Sequence, residues 1–194
     1  MLNPYVMAPY GGEVEPFVWW DGAFTNDELN FLQDAARSAT DKGSVGGSPE
    51  VQGINYNVRN SEISWLHFSN ESRWVFDKLS EVANKLNSQY YRFDISGLGE
   101  SLQLTNYSTE GKYGWHVDYG STISRKLSLV LQLTEPSEYE GGNLQVFTGG
   151  EPMTVRRSRG LIAAFPSYTL HQVSPVIKGS RQSLVAWFSG PSFR

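Results

Sequence analysis

The sequence predicts a mainly β fold with flanking helices (α+β), helices first and short strands filling the C-terminal half. Three observations lead there. Two segments before residue 90 repeat apolar residues at helical spacing. From Ser101 onward the sequence breaks into short runs separated by Gly, Pro, Ser and acidic residues. Glycine is frequent, at 19 residues, and aromatics make up 13% of the total, a composition that suits turn-rich β-structure. Regular short strands with turns between them fit a sandwich or barrel.

The first helix is predicted from about 26 to 38. Thr25 is its cap, with Glu28 three residues on completing a capping box, and Leu29, Leu32, Ala36 and Ala39 form the apolar face. The second runs from about 71 to 87, capped by Asn70, with Val75, Leu79, Val82 and Leu86 at helical spacing. Between them, Gly43 to Gly53 carries four glycines and reads equally as a plain connection or as a lid over a pocket. Strands are expected at 101–107, 126–133, 143–148, 161–165, 169–174 and 181–188. The length of 194 residues suits one domain, 1–194, with a helical part to about 95 and a β core from about 96.

Composition excludes several classes. With 39% hydrophobic and 19% charged residues the sequence can bury a core, so it is not a disordered segment. The absence of cysteine removes disulfides, thiolate metal sites and a cysteine nucleophile. A net charge of −4 disfavours a nucleic-acid partner. The one basic cluster, Arg156, Arg157 and Arg159, reads as a solvated turn. No apolar run of membrane-spanning length or signal-peptide pattern occurs, so no membrane partner and a cytoplasmic setting are expected.

The chemistry rests on few residues, because there are only three histidines. His116 and Asp118 stand two apart in Tyr113-Gly-Trp-His-Val-Asp-Tyr119; on a strand they share a face and can reach one point. An imidazole and a carboxylate supply two legs of a 2-His-1-carboxylate metal site. A strand-end histidine hydrogen-bonded to an aspartate is the plainer alternative. His171, in Thr169-Leu-His-Gln-Val173, is either a core histidine or the third leg. Arg181 opens a strand whose faces alternate, with Arg181, Ser183, Val185 and Trp187 on one and Gln182, Leu184, Ala186 and Phe188 on the other. An arginine beside a hydroxyl at the start of a buried strand suits a pocket that holds a carboxylate, and a strand-end arginine reaching solvent is the plainer alternative. His67 has no acidic neighbour at ligand spacing and reads as structural.

Taken in order, Tyr107-x5-Tyr113-x2-His116-x-Asp118, Arg125, Gly141-Gly142-x-Leu144, His171-x-Val173-x-Pro175-Val176, Arg181-x-Ser183 and Trp187 resemble the prolyl 4-hydroxylase-like branch of the Fe(II)/2-oxoglutarate-dependent dioxygenases, including its small bacterial and phage members. Val58-Arg59-Asn60-Ser61 resembles that branch less specifically. The resemblance implies a double-stranded β-helix, the jelly roll shared with cupins. It implies Fe(2+) held by His116, Asp118 and His171, and 2-oxoglutarate held by Arg181 with Ser183 and Tyr107. Tyr113 would line the substrate side, and Trp187 would pack near the cosubstrate. O2 would be the co-reactant and ascorbate an auxiliary reductant. The implied reaction hydroxylates an unactivated C–H, foremost of a prolyl residue in a peptide or protein, and releases succinate and CO2. Another amino-acid side chain or a small metabolite is the alternative substrate, and a non-catalytic jelly-roll binding protein the alternative function. Gln132 stands where animal and algal members of the branch usually carry a tyrosine. A zinc hydrolase would use the same ligand types but would leave Arg181 without a task.

Overall fold

The computed structural model describes residues 15–44, 53–120 and 124–193. Most of the Gly43–Gly53 loop, read as connection or lid, lies outside the described residues. In order along the sequence the elements begin with β1 (Val18–Trp20), α1 (Asn26–Arg37), β2 (Asp41–Lys42), β3 (Arg59–Asn60), β4 (Glu62–Leu66), α2 (Arg73–Leu86) and β5 (Gly97–Leu98). Then come β6 (Leu102–Tyr107), β7 (Lys112–His116), β8 (Arg125–Gln132), β9 (Tyr139–Gly141) and β10 (Leu144–Phe147). The last are β11 (Met153–Thr154), β12 (Ile162–Pro166), β13 (Leu170–Val173), β14 (Val176–Gly179) and β15 (Arg181–Ser189).

Two antiparallel sheets form a jelly roll. The larger has the order β1-β12-β8-β15-β6-β4-β2, with β5 also pairing to β15. The smaller has the order β11-β10-β13-β7-β3, and β14 pairs with β9 beside it. Strand alternation gives the larger sheet two buried faces. Leu102 and Leu104, Leu127, Leu129 and Leu131, and Leu184, Ala186 and Phe188 point one way and pack with α1 and α2. Tyr107, Val130, Ala163 and Phe165 point the other way and pack with Leu144, Val146 and Val173 of the smaller sheet.

α1 starts as its sequence demands. The Thr25 hydroxyl accepts from the Glu28 amide at 3.4 Å, and the Thr25 amide donates to Glu28 Oε2 at 2.8 Å. Its buried face, Leu29, Leu32, Gln33 and Ala36, lies on the larger sheet. α2 departs from expectation, because Asn70 is not its cap. Ser69 and Ser72 close a turn ahead of the helix instead: the Ser69 amide donates to Ser72 Oγ at 2.8 Å, and that hydroxyl donates to the His67 carbonyl at 2.7 Å. The helix therefore begins at Arg73 and runs on through a π-helical turn, Asn87–Tyr91, ending where Arg92 adopts φ 55°.

The six expected strands are present, each shifted by a residue or so at its ends. Several two- to five-residue strands went unforeseen, since so short a segment carries little periodicity. β3 and β4 matter most, because β3 extends the smaller sheet beside β7 and β4 extends the larger beside β6. The basic cluster is more than a solvated turn. Arg156 is exposed, but Arg159 donates to the Leu133 carbonyl at 2.9 Å and to Asn30 Oδ1 of α1 at 2.7 Å. Among the described residues no helix is long and apolar enough to cross a membrane.

Leu129 is fully buried where the larger sheet meets the helices. Leu129→Ala is expected to lower stability by about 2–5 kcal/mol through lost burial and a residual cavity, read as a lower urea midpoint with unchanged slope.

Candidate metal centre

The two sheets supply opposite walls of a cavity of about 310 Å³. Tyr107, Tyr113, His116, Asp118, His171, Arg181 and Ser183, scattered over 77 positions of sequence from 107 to 183, all line it. Every residue singled out as a metal, cosubstrate or substrate contact thus meets in one place.

The histidines meet because β7 and β13 pair with His171 directly opposite His116. Their ring centroids lie 4.1 Å apart. Each ring is fixed through its Nδ1: His116 Nδ1–H donates to the Gly114 carbonyl at 2.7 Å, and His171 Nδ1–H to the Thr169 carbonyl at 2.9 Å. With Nδ1 as donor, each Nε2 keeps its lone pair for a cation. His171 Nε2 lies 3.6 Å from Asp118 Oδ2, and His116 Nε2 3.8 Å from Asp118 Oδ1.

Asp118 arrives differently from the strand argument. β7 ends at His116, and Asp118 sits in a bend beyond it. The amides of Asp118 and Tyr119 both donate to the Ser167 carbonyl at 2.9 Å, which anchors the bend to the turn ahead of β13. Below it, Ser128 Oγ donates to Asp118 Oδ2 at 2.7 Å and pairs with Ser167 Oγ at 2.9 Å. Both serines are fully buried. Their hydroxyls fix the carboxylate and engage one of its oxygens.

Burial, and next the adjacent His171, push the His116 imidazole down to about 3, so its ring is neutral at ordinary pH. Burial acts to raise Asp118, but His171, His116 and Ser128 together hold it below the usual carboxylate range. The Trp187 indole N–H approaches Asp118 closely enough to add to this. It lies outside hydrogen-bond geometry and has no partner among the described residues. Two imidazoles and a carboxylate, all ligand atoms within 4.8 Å of one another, fit a divalent cation and leave positions on it open.

Deeper in the cavity, Arg181 is 1% exposed. It donates to Gln132 Oε1 at 2.9 Å and to Ser183 Oγ at 3.4 Å, with the Tyr107 ring centroid 5.5 Å from its Cζ. No carboxylate of the described residues pairs with it, and its Nε has no partner. A buried guanidinium left this way fits an anion such as the far carboxylate of 2-oxoglutarate. Gln132 accepts from Arg181 in the place the resemblance gives to a tyrosine. Gly142 explains the double glycine of the motif. Its φ is +57°, and a Cβ there would sit 3.3 Å from Arg181 Cδ.

Several residues escaped the sequence reading as site members. Arg125 belongs to the resembling pattern but carried no expected task. It holds Glu100 through two contacts of 2.6 Å, donates to the Asp118 carbonyl, and lies 4.0 Å from the Trp187 ring centroid. Arg59 is 5% exposed, with its Cζ 4.6 Å from the Tyr113 ring centroid, and Tyr113 stacks on His116 at 3.5 Å. Burial raises the Tyr113 phenol above its ordinary range, against Arg59. Alternation on β8 was the one signal for Ser128, which shares its face with Val130 and Gln132.

A jelly roll with two histidines and a carboxylate converging between its sheets presents the 2-His-1-carboxylate arrangement of a non-haem metal site. Residues 102–189 match the 2OG-Fe(II) oxygenase superfamily. A PKHD-type hydroxylase of Synechococcus sp. (strain CC9605) is 40% identical over 90 residues, 45% of this chain and 40% of that protein. The match thus spans about two-fifths of the length of that curated relative. A prolyl-4-hydroxylase of Pseudomonas putida superposes with a TM-score of 0.71 at 18% identity, covering 91% of this chain and 94% of that one. A prolyl hydroxylase from Trichoplax adhaerens, solved with a hypoxia inducible factor peptide fragment, gives 0.73 at 14% identity, covering 90% and 83%. The superfamily implies Fe(2+), 2-oxoglutarate and O2 as cofactor and co-reactants.

Ser128→Ala is expected to weaken Mn(II) binding about ten- to a hundredfold, the usual effect of removing a hydrogen bond to a metal ligand. Titration followed by electron paramagnetic resonance reads it, with far-ultraviolet circular dichroism as the folding control. Wild-type affinity in a folded variant would show that the hydroxyl does not position Asp118.

Proposed function

We propose that the protein is an Fe(II)- and 2-oxoglutarate-dependent dioxygenase that hydroxylates an unactivated C–H, with a prolyl residue in a peptide or protein as the first substrate to test. The observation behind it is Arg181, a fully buried guanidinium with an unsatisfied Nε, sharing a cavity with the His116, Asp118 and His171 cluster. A hydrolytic metal site gives that charge no counter-ion; a cosubstrate with a second carboxylate does.

In this reading His116, Asp118 and His171 hold the iron, and Arg181, Ser183 and Tyr107 receive the far carboxylate of 2-oxoglutarate. Bound iron supplies the redox chemistry by which 2-oxoglutarate, O2 and R–H become succinate, CO2 and R–OH. The protein's own part is positioning and exclusion of water. The Nδ1 hydrogen bonds aim both imidazoles before any cation arrives. Tyr113, flat against His116, walls the substrate side, and Trp187 with Val185 closes the cosubstrate side. Proline is favoured because the relatives are named for prolyl or PKHD-type hydroxylation. A lysine or asparagine side chain or a small metabolite would need the same iron and cosubstrate groups.

The test is succinate formation from 2-oxoglutarate with Fe(II) and ascorbate, with and without proline-containing peptides. Turnover stimulated by such a peptide is expected. No succinate from iron-loaded protein under any condition would sink the enzyme reading in favour of a binding protein. His171→Ala is expected to abolish turnover and stoichiometric Fe(II) binding. Arg181→Ala should retain the metal while losing 2-oxoglutarate affinity at least tenfold, measured as binding to the Mn(II)-loaded protein. Unchanged cosubstrate affinity would remove Arg181 from the site.

A further inference from the structure

Three arginines line the cavity: Arg59, Arg125 and Arg181. Their charges are settled differently. Arg125 is neutralised by Glu100 through two 2.6 Å contacts. Arg181 is answered by 2-oxoglutarate in the function proposed above. Arg59 has no carboxylate partner among the described residues, although it is 5% exposed.

Arg59 is also held in a built cradle. Its Nε donates to Ser61 Oγ at 2.9 Å, and its Nη1 donates to the Ser44 carbonyl at 3.1 Å. Its guanidinium lies against the Tyr113 ring and over Gly43, where any Cβ would collide with Nε and Cζ. These contacts fix the fork and satisfy two of its nitrogens. Nη2 remains buried and, among the described residues, unpartnered. An arginine serving only to brace β3 would have its charge answered or its amines exposed, because a buried charge without a counter-ion is costly. A fixed fork with one amine to spare is the arrangement that receives an oxyanion.

The position says whose oxyanion it is. Arg59 belongs to the smaller sheet and packs on Tyr113, the ring that stacks on His116, whereas Arg181 belongs to the larger sheet. The two guanidiniums therefore serve different guests. We propose that Arg59 is the anion-recognition residue for the primary substrate, which carries a carboxylate. This rests on the assignment of His116, Asp118, His171 and Arg181 above and narrows its substrate class. The acceptor is an acid: a free amino acid, the terminal carboxylate of a peptide or an acidic residue next to the hydroxylated one, rather than a neutral internal peptide segment.

The experiment is binding to the Mn(II)- and 2-oxoglutarate-loaded protein without turnover, read by thermal shift and calorimetry. The probes are L-proline, L-lysine and L-asparagine, each against its carboxamide. A second arm takes blocked peptides with proline beside glutamate, each against the glutamine version, and a third takes peptides ending in a free proline carboxylate, each against its C-terminal amide. At least one acid is expected to bind about ten- to a hundredfold tighter than its neutral partner, the worth of a charge-assisted contact. Whichever arm shows the difference identifies the source of the carboxylate. Arg59→Gln is expected to bring the acid down to the affinity of the amide. Should that variant fail to fold, the wild-type acid-to-amide ratio stands as the test, and Arg59→Lys, which keeps charge but loses the fork, is expected to fall between. Acids and amides binding alike, no acid binding at all, or a ratio that survives Arg59→Gln would each overturn the proposal. Failure of the earlier assignment looks different: 2-oxoglutarate itself would not bind.

Discussion

The cavity hangs from the pairing of β15 with β6 on one side and β8 on the other. β15 is buried on both faces, so its two sets of side chains have unrelated tasks. Leu184, Ala186 and Phe188 join the helices in the main core. Arg181, Ser183, Val185 and Trp187 face the cavity, where register brings Arg181 beside Tyr107 and Ser183 beside Thr105 and Gln132. A one-residue slip would drive a guanidinium into the leucine core and leave Leu184 in the site. Core packing thus enforces the register on which the chemistry depends. Gln182 is the exception on the core face, and its amide is answered by Asn106, Thr134 and Gln33.

The smaller sheet contributes the opposite wall by the same logic. The pairing of β7 with β13 brings the histidines together, and carbonyls two residues before each ring set its tautomer. The larger sheet reaches across through Ser128 on β8 to hold Asp118. The Ser128 and Arg125 hydrogen bonds therefore tie the sheet that carries Arg181 to the cluster suited to a metal. This mutual bracing matters, since ligands a fraction of an ångström out of place lose affinity.

Much of this was legible in the residues. Thr25 and Glu28 announced the start of α1, and alternation after Arg181 announced a two-faced strand. The cluster was legible because three histidines are few enough to weigh one at a time. The route of Asp118 was not, because what holds it is the Ser167 carbonyl, and a backbone group leaves no mark on residue identity. Arg59 was hidden for another reason: it lies on a two-residue strand, too short for any period, 57 positions before His116. The start of α2 was misread because Asn70 and Ser72 are both good capping types, and a local serine turn decided between alternatives that composition leaves equal.

The bend carrying Asp118 divides the three-residue cluster into unequal parts. His116 and His171 are cross-strand neighbours inside a sheet, so separating them means breaking the ladder cooperatively. The Asp118 bend is retained by the amides of Asp118 and Tyr119 on the Ser167 carbonyl, by the Ser128 hydroxyl on the carboxylate and by Arg125 on the Asp118 carbonyl. A local opening of that bend would release the carboxylate while the imidazoles stay paired. The cluster can therefore pass through a two-legged state without any loss of fold. Amide exchange at 118 and 119 then follows a lower free-energy route than exchange in β7.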